Sequence, residues 1–149
     1  MYAYEGAFSN EEVQAWLDQQ ITRYQKDGVG LYAVIQKDTG VMIGQCGLTI
    51  QKIPDQELLE IGYLFQKEAW HQGYATEAAK ACKKYAFQVL KAEEVFSIIR
   101  DSNLPSQNVA KRNGMTPKGS FIKYYRGIRM PHYIFSVKRD DWENSGVDK

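Results

Sequence analysis

The stretch "WHQGYATEA", Trp70 to Ala78, sets two small residues, Gly73 and Ala75, at alternate positions directly before a helical pattern. Small side chains there leave backbone amides uncovered, and a helix start adds the positive end of its dipole. Such a turn suits an anion, phosphate above all. The spacing by itself is a weak signal. No Gly-Lys-Ser/Thr triplet follows, so this is not a Walker loop, and the glycines do not fit G-x-G-x-x-G. A tight turn with small residues for packing would read the same.

The elements around that turn say more. Upstream, "LLEIGYLF" (58–65) reads as a strand, and "LYAVI" (31–35) with "VMIGQCGLTI" (41–50) reads as a hairpin joined by "QKDTG". Gly44 and Gly47 inside the second run point to a bulge or a close backbone neighbour. "IPDQ" (53–56) is expected to be a loop. Downstream, from about Thr76, the period becomes helical. Ala75, Ala78, Ala79, Cys82, Tyr85, Ala86, Val89 and Leu90 form an apolar stripe, with Glu77, Lys80, Lys83, Lys84 and Lys91 facing outward. "VFSII" (95–99) is then a buried strand. Strand, helix and strand without a break make a βαβ unit, so its two strands are expected to be parallel.

At the front, Ser9 with Glu12 has capping-box spacing and Phe8 with Val13 that of a hydrophobic staple. A helix should follow and end at "KDGVG" (26–30). Ser106 is expected to cap a short helix that stops at Asn113-Gly114. Two last strands, around 120–126 and 132–137, are expected to be separated by Gly127 and Pro131, with a frayed tail after Trp142. The sum is an α/β (α+β) domain over 1–149, with a mixed, mostly antiparallel sheet and one parallel pair.

Composition excludes several classes. Hydrophobic residues at 44% and charged ones at 25% describe an ordinary globular chain, and a net charge of +1 gives no global pull toward nucleic acid or acidic lipid. No apolar run approaches the roughly 18 residues of a membrane span. Cys46 and Cys82 stand far apart in the chain without metal-ligand spacing. They read as buried reduced thiols, which fits a cytoplasmic protein.

"ELLEIGYLFQKEAWHQGYATEAAKACKKYAF" (57–87), with "RDSNLPSQNVAKRNGM" (100–115) after the next strand, resembles the GNAT superfamily of acetyl-CoA-dependent N-acetyltransferases. More narrowly it is similar to the branch that includes the ribosomal-protein N-terminal acetyltransferases. The likeness covers roughly 8–137. The superfamily's turn pattern, Arg/Gln-x-x-Gly-x-Gly/Ala, is filled by Trp70-His71-Gln72-Gly73-Tyr74-Ala75, with Trp70 departing from it. The resemblance implies that amides from His71, Gln72, Gly73, Tyr74, Ala75 and Thr76 hold the diphosphate of coenzyme A. It implies that the edge of Tyr63-Leu64-Phe65, splayed from its parallel neighbour, pairs with the pantetheine arm. The Phe65 amide would then lie near the thioester oxygen.

By the same likeness, Glu60 is the candidate base and Asn103 a contact for the pantetheine region. The tyrosine that protonates the thiolate in many relatives is replaced by about Ala110, which leaves Ser106 as the candidate acid. Each has a plainer reading: Glu60 satisfied by a neighbour, Asn103 a turn-former, Ser106 a cap. Cys46 and Cys82 lack activating neighbours, so direct transfer in a ternary complex is expected rather than a cysteine acyl-enzyme. No metal is implied. His71 is expected beside the phosphates and His132 just before the last strand. Tyr124, Tyr125, Arg126, Arg129 and Tyr133 interleave aromatic and basic side chains. Neutral overall charge and strand alternation favour sheet faces plus an acceptor-site wall over nucleic acid. The acceptor is a primary amine, on a small molecule or on a peptide or protein N-terminus; a non-catalytic acyl-CoA-binding protein is the alternative. Relatives of this kind begin with a further strand before the segment matching Phe8. The expected result here is an unpaired sheet edge, which a homodimer would cover.

Overall fold

The computed structural model of the chain describes residues 10–53 and 56–145. The capping-box and staple pairs expected around Ser9 and Val13 fall outside what it describes. Along the chain run α1 (Asn10–Asp27), β1 (Leu31–Ile35), β2 (Met42–Ile53), β3 (Gln56–Phe65), a 3₁₀ turn (Lys67–Ala69), α2 (Tyr74–Gln88), β4 (Glu94–Arg100), α3 (Leu104–Arg112), β5 (Thr116–Tyr125), β6 (Ile128–Lys138) and α4 (Arg139–Ser145). The strands form one mixed sheet in the order β1-β2-β3-β4-β6-β5. Every neighbouring pair is antiparallel except β3–β4, which is parallel. The βαβ unit is therefore β3–α2–β4, as its period change implies.

Side chains alternate across each strand, which gives the sheet two faces. One face carries Cys46, Leu48, Ile61, Tyr63, Phe65, Val95, Ile99, Phe135 and Val137, packed with Ala79, Ala86 and Phe87 of α2, Ala110 of α3 and Trp142 of α4. Phe87 and Trp142 lie with ring centroids 5.1 Å apart. Burying a side chain such as Phe87 contributes roughly 1.5–3 kcal/mol. The other face holds a smaller cluster of Leu58, Phe96, Ile98 and Ile134. Gly47 marks the close approach expected of it: a Cβ there would stand 2.2 Å from Gly30 O.

Several expectations change. β2 runs to Ile53 and β3 starts at Gln56, so both ends of the loop foreseen over 53–56 are strand, and residues 54 and 55 between them lie outside the described ones. Pro131 does not separate two strands but lies inside β6, opposite Ile122. It has no N–H to give, and its carbonyl accepts from Asp101 N at 3.1 Å. His132 is likewise within β6, not before it. Arg126 and Gly127 alone make the hairpin tip, both at positive φ, 51° and 77°. Such a two-residue turn matches the twist of its strands. The supposed frayed tail is helical to Ser145, held by buried Trp142.

The α2 stripe also differs. Tyr85, Val89 and Leu90 are exposed, while Phe87 takes the core position. Lys83, expected outside, is buried: its Nζ donates to Asn113 O at 2.8 Å, and Asn113 Nδ2 returns a bond to Ala79 O at 3.3 Å. A charged end satisfied by the carbonyl that closes α3 can sit in the core where an unpaired one could not.

Candidate active site

The parallel pair opens almost as soon as it forms. β3 and β4 register only at Glu60–Phe96, with Ser97 Oγ donating to Ile61 O at 2.9 Å just beyond. Past that point the strands part. Gln66 N donates to Ile43 O at 2.9 Å, and Phe65 lies opposite Gly44. That bond makes Leu64–Gln45 a hydrogen-bonded pair and Phe65–Gly44 a non-bonded one. By the same alternation the amides of Tyr63 and Phe65 point away from β2, into the gap. The Phe65 carbonyl is taken: Trp70 Nε1 donates to it at 2.9 Å. Trp70 thus clamps the turn back onto the strand.

A cavity of about 480 Å³ follows this gap, lined by Tyr63, Leu64 and Phe65, by the turn 69–71 with 73–76, and by one side of α3. At its far end stands the start of α2. Gly73 is the N-cap at φ 84°, no side chain caps the helix, and the first bond of the α2 ladder runs from Glu77 N to Gly73 O. The amides of Tyr74, Ala75 and Thr76 precede that bond and have no partner inside the helix. A Cβ on Gly73 would meet nothing within 4 Å, so the turn is open there. His71 holds a left-handed φ of 65° and lines the cavity. Gln72 does not line it; its side chain donates to Glu68 O at 2.9 Å.

The third wall corrects one expectation. The N-cap of α3 is Asn103, whose Oδ1 accepts from Ser106 N at 3.2 Å; Ser106 sits in the first turn and not at the cap. Pro105 two positions after Asn103 is what helix starts tolerate. Ser106 is thereby relieved of the capping role, and it lines the cavity together with Asn103. Tyr63 Oη donates to Ser106 O at 2.7 Å, a bond that ties β3 to α3 across the gap. Burial, with Cys46 and Glu60 adding to it, pushes the Tyr63 hydroxyl pKa up, so it stays a neutral donor.

Glu60 does not line this cavity. It lies on the other face, in a second one of about 300 Å³ beneath α1, with Gln20, Arg23, Gln45, Thr49, Lys123 and His132 among its walls. Ile98 N donates to Glu60 Oε2 at 2.7 Å. Burial raises the Glu60 pKa above the usual carboxylate value, against the lowering pull of that amide, Lys123 and Arg23. Tyr63 lines both cavities, so they adjoin at the seam.

Sequence reasoning missed Gln20, Arg23, Lys123 and the α3 residues Leu104, Asn108 and Arg112. Strand alternation signalled Lys123, since it shares a face with Phe121; nothing local signalled the α1 pair. Conversely Tyr124, Tyr125, Arg126 and Arg129 are exposed on the hairpin and line neither cavity. His132 Nδ1 lies 2.9 Å from Met130 O, and burial lowers its pKa. The two thiols, distant in the chain, touch: Cys46 Sγ is 3.7 Å from Cys82 Sγ, both free, and neither lines either of these two cavities.

Comparison with known proteins finds a family and a shared fold. The acetyltransferase (GNAT) domain model matches residues 1–116. The Bacillus subtilis protein YkkB is 35% identical over 128 residues, 86% of this chain and 74% of its own. The N-acetyltransferase YnaD of the same organism is 27% identical over 143 residues, 95% and 81% of the two chains. Among solved structures, RimL, a ribosomal L7/L12 α-N-protein acetyltransferase in complex with coenzyme A, superposes with a TM-score of 0.75. It is 20% identical, with 90% of this chain and 75% of that one covered.

Proposed function

This chain belongs to the GNAT acetyltransferase family, and from that premise we propose that it transfers an acetyl group from acetyl-CoA to a primary amine by direct attack in a ternary complex. The observation that carries the proposal is the opened seam: two cavities on opposite faces of the sheet adjoin at Tyr63, beside strand amides turned into the gap. The residues fit coenzyme A. Uncovered amides of Tyr74, Ala75 and Thr76, with the dipole of a 15-residue helix behind them, suit a diphosphate without any charged side chain. The edge of Tyr63, Leu64 and Phe65 offers donors to an extended amide-bearing arm, and Asn103 and Ser106 face it from α3. Acetyl-CoA supplies the activated acetyl group.

The chemistry then asks three things of this chain. A protonated amine has no lone pair, so a base must take its proton. Glu60 stands on the acceptor side with one oxygen anchored by Ile98 N, and its raised pKa moves it toward the range where a base works at neutral pH. The carbonyl oxygen gains negative charge during attack, and the Phe65 amide, turned into the gap, is the proposed donor to it. One such donor is typically worth roughly 3 kcal/mol. The departing thiolate needs a proton, and the Ser106 hydroxyl is its proposed donor.

The test is direct. The protein is incubated with acetyl-CoA and a panel of amines while free thiol is measured, and coenzyme A binding is followed by thermal shift. Amine-dependent thiol release is expected. Stabilisation by coenzyme A with no release for any amine would make the protein an acyl-CoA binder without turnover. An unmoved melting point in excess coenzyme A would refute the cofactor assignment as well.

A further inference from the structure

Among the described residues the acceptor cavity carries more positive than negative charge. From it we infer that the acceptor is a small amine carrying its own carboxylate, a free amino acid, rather than a polyamine or an uncharged amine. The inference rests on the acetyl-transfer reading above. Its volume of about 300 Å³ is at the small end of ligand pockets. Among the described residues Glu60 is its one carboxylate, and it meets two cations, Arg23 and Lys123. His132, whose pKa burial lowers, adds no charge at neutral pH.

Among the described residues no carboxylate pairs with either cation. Arg23 is half-buried, and the bond it makes runs from Nη1 to Gln20 Oε1 at 3.3 Å. Gln20 is 3% exposed; its Oε1 also accepts from Leu31 N at 3.1 Å, while its Nε2 has no partner. A buried amide donor without an acceptor is a costly arrangement in a folded protein, and lining a cavity gives it a use. A guanidinium, an amide N–H and an ammonium around one small space form the donor set that a carboxylate binds. Glu60 supplies the complement, an acceptor for the ammonium group. Both cations are near enough to pull the Glu60 pKa down, so amine and carboxylate ends of one small molecule can be met together. A polyamine would instead bring a second ammonium against Arg23 and Lys123, with no carboxylate to receive it.

The experiment uses matched pairs that differ in the carboxylate: phenylalanine against 2-phenylethylamine, methionine against 3-(methylthio)propylamine, ornithine against putrescine. With acetyl-CoA and thiol detection, the amino acid of at least one pair is expected to exceed its partner in kcat/KM by about 10- to 100-fold. In Lys123→Gln and Arg23→Gln that preference should collapse through KM for the amino acid, with KM for acetyl-CoA unmoved. Lys123 is exposed on β5, so its variant keeps the test alive should Arg23→Gln fail to fold. Calorimetric titration of each pair into the protein with coenzyme A present reads the same preference without turnover. A catalytic failure is thereby separated from a wrong substrate class. Equal or better turnover and binding of the amines lacking a carboxylate, or of a peptide N-terminus with an uncharged side chain, overturns the inference.

Discussion

Gly73→Glu tests the cofactor assignment most sharply, because the structure lets its effects be separated. Gly73 holds φ 84° and has open space where a Cβ would stand. A Cβ there clashes with no protein atom, and the conformational cost of a side chain is roughly 1–2 kcal/mol. A melting temperature a few degrees lower is the expected price for a chain of this size. Binding should suffer far more. A carboxylate about 6 Å from one phosphate charge, at an effective dielectric near 20, is opposed by about 3 kcal/mol, or about 100-fold in Kd. Gly73→Asn is the control: it takes the left-handed conformation more readily and adds bulk without charge. Calorimetric titration with coenzyme A at low and high salt reads the outcome. The excess loss in the Glu variant over the Asn variant should shrink as ionic strength rises, since screening weakens charge repulsion and leaves steric exclusion alone. A folded Gly73→Glu protein that binds coenzyme A within about threefold of the parent would refute the assignment.

Glu60→Gln should lower kcat by about 10²- to 10⁴-fold, with coenzyme A affinity nearly intact, and erase the rise in rate as the carboxyl ionises; an unaltered rate removes Glu60 from the mechanism. Its stability effect has a definite sign. A raised pKa means the folded state holds that proton more tightly, so stability falls as pH rises from the ordinary carboxylate pKa through the raised one. The Gln variant should lack this fall, which melting curves between pH 4 and 8 would reveal. Asn103→Ala should cost about 1 kcal/mol through loss of the α3 cap. Ser106→Ala should leave stability near the parent while slowing turnover; equal melting losses in both variants would contradict the cap geometry. Lys83→Met should destabilise by about 1.5–3 kcal/mol in denaturant titration, because Asn113 O loses a charged donor in the core, whereas a surface lysine would be neutral to the change.

What the sequence disclosed, and what it withheld, divides along physical lines. Periodicity placed β1, β3, α2 and β4 within a residue or two, because each shows a run of one period bounded by glycine or a polar turn. The quoted motifs brought Tyr63–Phe65, Gly73–Thr76, Asn103 and Ser106 to one cavity. Periodicity misplaced Lys83, since its partner is a carbonyl 30 residues away and a buried lysine looks like an outward one in a helical pattern. The α3 cap was misassigned because Asn103 and Ser106 are both good caps, and Pro105 two positions after Asn103 was the overlooked arbiter. The second cavity, the one proposed to receive the acceptor, was read only through Glu60. Its other walls come from α1 and β5, elements far apart in the chain, and no local pattern ties Gln20 or Arg23 to Lys123.

The single Glu60–Phe96 rung has a mechanical meaning. It divides the sheet into a β1–β2–β3 half and a β4–β6–β5 half, joined along a seam by one rung, the Ser97 and Tyr63 hydroxyls and the bond from Ile98 N to Glu60. The two halves should behave as separate cooperative units in hydrogen exchange, with Tyr63 and Phe65 amides exchanging faster than the Leu64 amide between them. An extended guest lying in the gap would act as a splint across the fracture line, stiffening the whole molecule from its middle.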